Sequence, residues 1–212
     1  DDVESRGLGD VYKRQEYLTV TFDVHAPTFR HEMYQEYKGT RKPMAEELRQ
    51  QVPVIKDVLR AMHIEVIEKA GLEADDLLGT LSHRCEEKGM DVSIISGDRD
   101  TLQLATEHIK IRIPKTKQGK TEVEDYYAAD VQERYGVTPK EFIDVKALMG
   151  DTADNIPGVP GVGEKTATKI IQQYQTIENA YEHVDELKPP RASKNLKEFW
   201  EQAQLSLSLI HI

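Results

Sequence analysis

The chain has 212 residues, 38% hydrophobic and 31% charged, with a formal charge of −10 and a single cysteine, Cys85. That length fits one domain, or one with a small extra module, and the hydrophobic share can build a core. No apolar run approaches the roughly 18 residues of a membrane helix. No basic-then-apolar leader opens the chain, and one cysteine excludes an internal disulfide, so a cytoplasmic protein is expected. An acidic chain argues at first sight against nucleic acid, because phosphate binders carry a basic footprint. Carboxylates that converge on bound cations would be neutralised, so the charge decides nothing until the acids are placed.

Residues 1–15 (DDVESRGLGDVYKRQ) show neither helical nor strand period, and the chain ends in LSLSLIHI; residues 1–15 and 206–212 are read as non-native flanks. YLTVTFD (17–23) reads as a strand ending in an acid, and 24–43 as a polar, basic and aromatic stretch without period. A helix is predicted over about 45–62, with Leu48, Val52, Ile55, Val58, Leu59 and Met62 on one face and Pro53 marking a kink or late start. IEVIE (64–68) is a short strand, and a helix runs from about Glu73 to a stop at Gly89. DVSIISGD (91–98) is a strand, RDTLQLAT a short helix and IKIRIP (109–114) another strand. This alternation predicts an α/β domain, a parallel sheet covered by helices on both faces. After Val123 the strands stop, and AADVQERYG, TPKEFIDVKALMG, GEKTATKIIQQYQ, TIENAYEHV and SKNLKEFWEQAQL read as helices. The division is therefore 16–125 for the α/β part and 126–205 for a helical module, the boundary lying within 125–137.

Each group of acids has an ordinary explanation. Asp23, at a strand end, suits a turn or cap. Glu73, Asp75 and Asp76 suit the helix dipole, although three crowded acids repel unless a cation intervenes. Asp100 suits an N-cap for TLQLAT, which leaves Asp98 unexplained. Asp151 and Asp154, in GDTADN, suit an Asx turn. Together they say more, because parallel topology gathers strand ends and the neighbouring helix start on one edge, where such sheets bind ligands. Carboxylates without a His or Cys cluster are the donor set for magnesium or manganese. Two such ions roughly 4 Å apart would clamp the attacking and leaving oxygens of a phosphodiester.

NIPGVPGVGEKTATKII (155–171) is the most specific segment. Gly158, Gly161 and Gly163, with two prolines, build tight turns before a helix at about Glu164. That helix start, with Lys165, Thr166 and Lys169, suits a backbone phosphate of DNA, gripped regardless of sequence. In 24–43, Arg30, Lys38, Arg41 and Lys42 are interleaved with Tyr34 and Tyr37, a composition that fits DNA stacking and a solvated loop about equally.

FDVHAPTFRHEMYQEYKGTR, GLEADDLLG, ISGDRD and MGDTADNIPGVPGVGEKTA resemble, in order and over about residues 16–205, the 5′–3′ exonuclease domain of bacterial DNA polymerase I and the related bacterial and phage flap endonucleases. The resemblance implies a Rossmann-like (PIN-like) sheet, an arch at about 24–45 and a helix-three-turn-helix (helix-hairpin-helix) DNA-binding module. It implies a first metal site of Asp23, Glu73, Asp75 and Asp76, and a second of Asp98, Asp100, Asp151 and Asp154. Lys38 would steady the scissile phosphate, Tyr37 would stack, and Arg30 and Arg41 would contact phosphate, with Lys38, Arg41 and Asp98 the residues closest to catalysis. The turn at 158–163 resembles one where potassium bridges protein carbonyls and DNA. The implied reaction is hydrolysis of 5′ flaps and nicked or gapped duplex by a metal-activated water, in a monomer fused to or working with a DNA polymerase and not bound to membrane.

The family begins with a further strand ending in a metal-binding Asp. Asp10 is rejected for that place, because Val11 to Glu16 is too short for a parallel crossover. The first strand and the last helices are therefore expected to be missing, and the chain as given to be a poor nuclease. A non-catalytic structure-specific DNA-binding protein is disfavoured by the dense acids, and a small-molecule magnesium phosphohydrolase by the hairpin element.

Overall fold

The computed structural model describes residues 16–117 and 120–212. The readings of residues 1–15 as a flank, and of Asp10, lie outside the described residues.

Two parallel strand pairs form the sheet framework. β1 (Thr19–Thr21) pairs with β2 (Glu65–Ile67), Val20 opposite Val66. β3 (Val92–Ile95) pairs with β4 (Ile109–Lys117), Ile94 opposite Ile111. Between β1 and β2 run α1 (Phe29–Met33), α2 (Glu46–Arg49) and α3 (Gln51–Ala61). α4 (Ala74–Glu86) packs on both β1 and β3, and a 3₁₀ turn (Arg99–Leu104) leads from β3 towards β4. The sheet is thus not the single parallel one expected: among the described residues it lies in two pieces, and the second contains an antiparallel strand.

That strand, β5 (Lys120–Tyr126), was invisible in the sequence because it has almost no apolar content. Ile109, Ile111 and Ile113 of β4 are buried, while Lys110 and Arg112 bind Asp125 and Lys115 binds Glu124 across the ladder. Cross-strand charge pairs help hold β5 in register, with its one buried side chain, Tyr126, opposite Ile111.

The helices follow: α5 (Ala128–Tyr135), α6 (Pro139–Met149), α7 (Glu164–Tyr174), α8 (Ile177–Glu182), α9 (Pro190–Glu198) and α10 (Trp200–Ile210). α6 is the central one. Thr138 and Glu141 form its capping box and Pro139 opens it. Its Phe142, Val145 and Leu148 enter the main core, and it touches α7, α10 and the 3₁₀ turn. Residues 206–210 complete α10, and Ser206, Leu209 and Ile210 are buried. The end set aside as a flank is therefore packed into the fold. The helix predicted over 45–62 breaks at Gln50, ahead of Pro53. Its apolar face is not buried: Leu48, Ile55, Val58 and Met62 are half or more exposed, an unusual patch for a solvated helix. Among the described residues, no helix is long and apolar enough to cross a membrane.

Two predictions follow from packing. In the loop after α6 an Asp151–Ile156 bridge brings two glycine backbones together. A Cβ on Gly158, whose φ is +58°, would lie 2.3 Å from the nitrogen of Gly150. Gly158→Ala should cost at least about 2 kcal/mol, read as a lower denaturation midpoint; an unchanged midpoint would show that this loop yields easily. The second concerns Asp144, which is buried on α6 and accepts the Ile177 N–H at 2.9 Å. Burial pushes its carboxyl up to about 6. A carboxyl raised in the folded state binds its proton more tightly there than when unfolded, so its contribution to stability falls as pH rises from about 4 to 6. The unfolding free energy of Asp144→Asn should therefore gain on wild type by on the order of 2 kcal/mol between pH 4 and pH 8. A constant difference across that range would refute it.

Candidate functional site

The first group of acids meets at the start of α4. Glu73 is the N-cap, and the Asp76 carboxylate accepts the Glu73 N–H at 2.9 Å. From the end of β1, Asp23 accepts the Ala74 N–H at 2.7 Å. Cations do intervene, and the protein supplies them. Arg30, 2% exposed, grips Asp76 through both terminal nitrogens at 2.9 and 2.8 Å and lies 3.6 Å from Glu73. Lys38 Nζ sits 2.8 Å from Glu73. The buried Tyr37 hydroxyl donates to Glu73 at 3.0 Å, and its pKa is held far above normal, first by burial and then by the Glu73 charge. Asp75 is pushed up to about 6, first by burial and then by the charges of Asp98 and Asp23.

The second group centres on the 3₁₀ turn. Here the expected cap is reversed: Asp98 is the N-cap, accepting the Asp100 N–H at 2.9 Å, and Asp100 lies inside. Lys146 Nζ of α6 stands 2.9 Å from Asp100 Oδ1 and 2.5 Å from Asp151 Oδ2. Lys146 was not singled out from the sequence, although a lysine five residues before Asp151, between the apolar Val145 and Ala147, was the available signal. Asp100 Oδ1 is the one buried side-chain polar atom, among the described residues, without a hydrogen-bond partner. The ammonium is near enough to pair electrostatically but is poorly aimed as a donor. Burial pushes Asp100 up to about 6 against the pull of Lys146. Burial alone would lower Lys146, yet Asp100 and Asp151 hold it above the usual lysine value.

The two groups share one small cleft of about 20 Å³, walled by Lys38, Glu73, Asp75, Asp98, Asp100 and Asp154. Asp23, Asp76 and Asp151 stand outside that wall, on its supports. Lys38 has a left-handed φ of 56°, a strained conformation for a lysine. Its N–H is held by the Asp154 carbonyl at 2.9 Å. Arg41 pairs with the Asp154 carboxylate. Among the described residues, no three acids, imidazoles or thiols lie close enough to hold an ion as the side chains stand; Glu73, Asp76, Asp100, Asp151 and Asp154 are each drawn to a basic partner. The donors nevertheless suit a hard divalent cation: they are carboxylate oxygens on one cleft, one of them buried without a hydrogen bond.

Two expected contacts need correction. Arg30 cannot meet phosphate here, because its remaining donors go to the Leu209 and His211 carbonyls. Tyr37, 4% exposed, offers no face for stacking. In the hairpin element, Gly163 is the N-cap of α7, and Lys165 and Lys169 are exposed with Thr166 half-buried between them. Gly158 is buried, and Gly161 has a φ of 76°. The Gly158 carbonyl accepts the Gln202 amide at 2.6 Å, and that of Pro160 accepts Asn195 at 2.6 Å.

Known proteins resemble this chain throughout. The family models "5′-3′ exonuclease, N-terminal resolvase-like domain" and "5′-3′ exonuclease, C-terminal SAM fold" match residues 8–136 and 137–212. DNA polymerase I of Bacillus caldotenax is 46% identical, and that of Bacillus subtilis 44%, over 196 residues, 92% of this chain but 22% of either relative. The chain thus spans about a fifth of the length of these relatives. The T5 5′-exonuclease with divalent zinc bound superposes with a TM-score of 0.80 at 27% identity, over 96% of this chain and 76% of that one. A bacteriophage T5 flap endonuclease in a complex with DNA and metal ions gives 0.80 at 26% over the same shares. With both family models spanning the described fold end to end, the chain belongs to the 5′-3′ exonuclease family.

Proposed function

We propose that the chain is a metal-dependent 5′ nuclease that hydrolyses phosphodiesters at 5′ ends and 5′ flaps of structured DNA, working with or fused to a DNA polymerase in the cytoplasm. The observation that carries this reading is the single cleft on which Lys38 meets Glu73, Asp75, Asp98, Asp100 and Asp154. A likeness to a flap endonuclease complexed with DNA and metal ions supports it.

Magnesium or manganese fits the donors. Asp23, Glu73 and Asp75 would hold one ion, with Asp76 positioned behind them by Arg30; Asp98, Asp100, Asp151 and Asp154 would hold the other. When bound, such ions activate water and neutralise charge on the reacting phosphate. The protein's own part is positional. Lys38 and Arg41, anchored beside Asp154, present positive charge at the cleft mouth, where a scissile phosphate is drawn in. Residues 16–125 would carry this chemistry and 126–212 the grip on duplex. Lys165, Thr166 and Lys169 at the α7 start lie where phosphate binding is favoured, and potassium at the 158–163 turn belongs to the same proposal. A purely DNA-binding role leaves the crowded acids without purpose, since unneutralised carboxylates repel DNA.

Cleavage of a 5′-flap duplex should require magnesium or manganese, and full turnover in excess chelator would sink the reading. Asp98→Ala should abolish cleavage while leaving flap binding equal or tighter, because it removes negative charge near phosphate. Lys165→Ala and Lys169→Ala should weaken binding to duplexes of any sequence alike. Each should flatten the log–log salt dependence by about one unit per lost phosphate contact. A loss confined to particular sequences would mean that the element reads bases.

A further inference from the structure

Lys146 has no place in the roles proposed above, yet it is the most enclosed ammonium at the site. Its side chain is 13% exposed, and it lies between Asp100, 15% exposed, and Asp151, 18% exposed. These two acids come from different elements, the 3₁₀ turn after β3 and the loop after α6. The packing of the 3₁₀ turn against α6 brings them near each other. Two half-buried carboxylates facing each other repel, and a positive charge between them offsets that repulsion.

We infer that Lys146 is a resident counter-cation: it holds Asp100 and Asp151 together in the metal-free protein and withdraws when a divalent cation enters between them. The inference rests on the divalent-cation reading of the cleft. Three features argue for an exchangeable charge rather than a fixed tie. The ammonium is 2.9 Å from Asp100 Oδ1, yet that oxygen is left without a hydrogen bond. The pairing with Asp100 is therefore a charge contact more than a directed bond, and only the bond to Asp151 Oδ2 at 2.5 Å has to be broken on withdrawal. The backbone beneath Lys146 is fixed, since the neighbouring Ala147 and Leu148 are fully buried and the capping box anchors the helix start. Only the four-carbon stem needs to swing. Lysine, unlike arginine, is a compact point charge on a flexible chain without a fork to lock both acids. Withdrawal would also deliver a freed ammonium to the cleft as DNA phosphate arrives, so the lysine would change partner rather than lose one.

The test is calorimetric titration of manganese into wild type, Lys146→Met and Lys146→Arg, with thermal midpoints measured before and after saturation. Lys146→Met should melt lower than wild type without metal. It should bind manganese roughly tenfold tighter or more, a difference of about 1.4 kcal/mol, and should recover stability at saturation. Lys146→Arg, whose guanidinium fork grips both carboxylates, should melt like wild type and bind manganese more weakly. This variant keeps the test decisive should Lys146→Met fail to fold. Equal or weaker manganese binding by Lys146→Met, or unchanged binding by Lys146→Arg, would overturn the inference and make Lys146 a structural tie. Should wild type take up no manganese at all, the divalent-cation reading falls, and this inference with it.

Discussion

Carboxylates crowded on one small cleft repel unless neutralised, and much of the site's structure follows from that constraint. Arg30 on α1, Lys38 and Arg41 beyond it, and Lys146 on α6 bring the compensating charge from segments far apart in the chain. Arg30 does more. Its guanidinium closes on Asp76 while donating to the carbonyls of Leu209 and His211 at the end of α10. These are carbonyls that a helix end leaves without intrahelical partners. The start of α4, bearing the first acids, and the end of the last helix are thereby tied through one side chain. The α/β part and the helical module meet at the acids themselves.

This arrangement gives the proposed chemistry its character. Lys38, Arg41 and Lys146 balance acids in the free protein; under the proposal, incoming metal would take the carboxylates and incoming DNA phosphate the cations so freed. Lys38 shows the tension in its backbone. A left-handed φ at a lysine persists only where its surroundings impose it, and here the Asp154 carbonyl and the Glu73 carboxylate do so. A strained residue at the cleft mouth, held by two acids that would bind metal, is poised to be released when those acids find other ligands.

Much of this was legible in the residues. The β-α alternation placed Asp23, Asp98 and the start of α4 on one edge because strand ends follow from apolar runs that stop at an acid. The hairpin element declared itself through glycines whose conformations no other residue adopts easily. What escaped has physical reasons. β5 is held in part by charge pairs with β4, which periodicity does not detect. α10 was cut short because the apolar LSLSLIHI was read as a non-native flank, yet Ser206 reaches the Gly158 N–H and Leu209 is buried. The apolar face of α3 was legible, but its exposure was not, since periodicity reports which side is apolar and not what covers it. Arg30 and Tyr37 were assigned to DNA by the resemblance, while in this fold both turn inward to the acids. Lys146 was overlooked because one lysine on a helix ordinarily reads as solvated.

The claim on which the account turns is that the paired acids are a metal site whose charge the protein balances from within. Anomalous scattering from crystals soaked in manganese tests it most directly. The account predicts density in the cleft within coordinating distance of Asp98 and Asp100, with the Lys146 ammonium displaced from between Asp100 and Asp151. Manganese found only on surface carboxylates, with Lys146 still seated between its two acids, would contradict it.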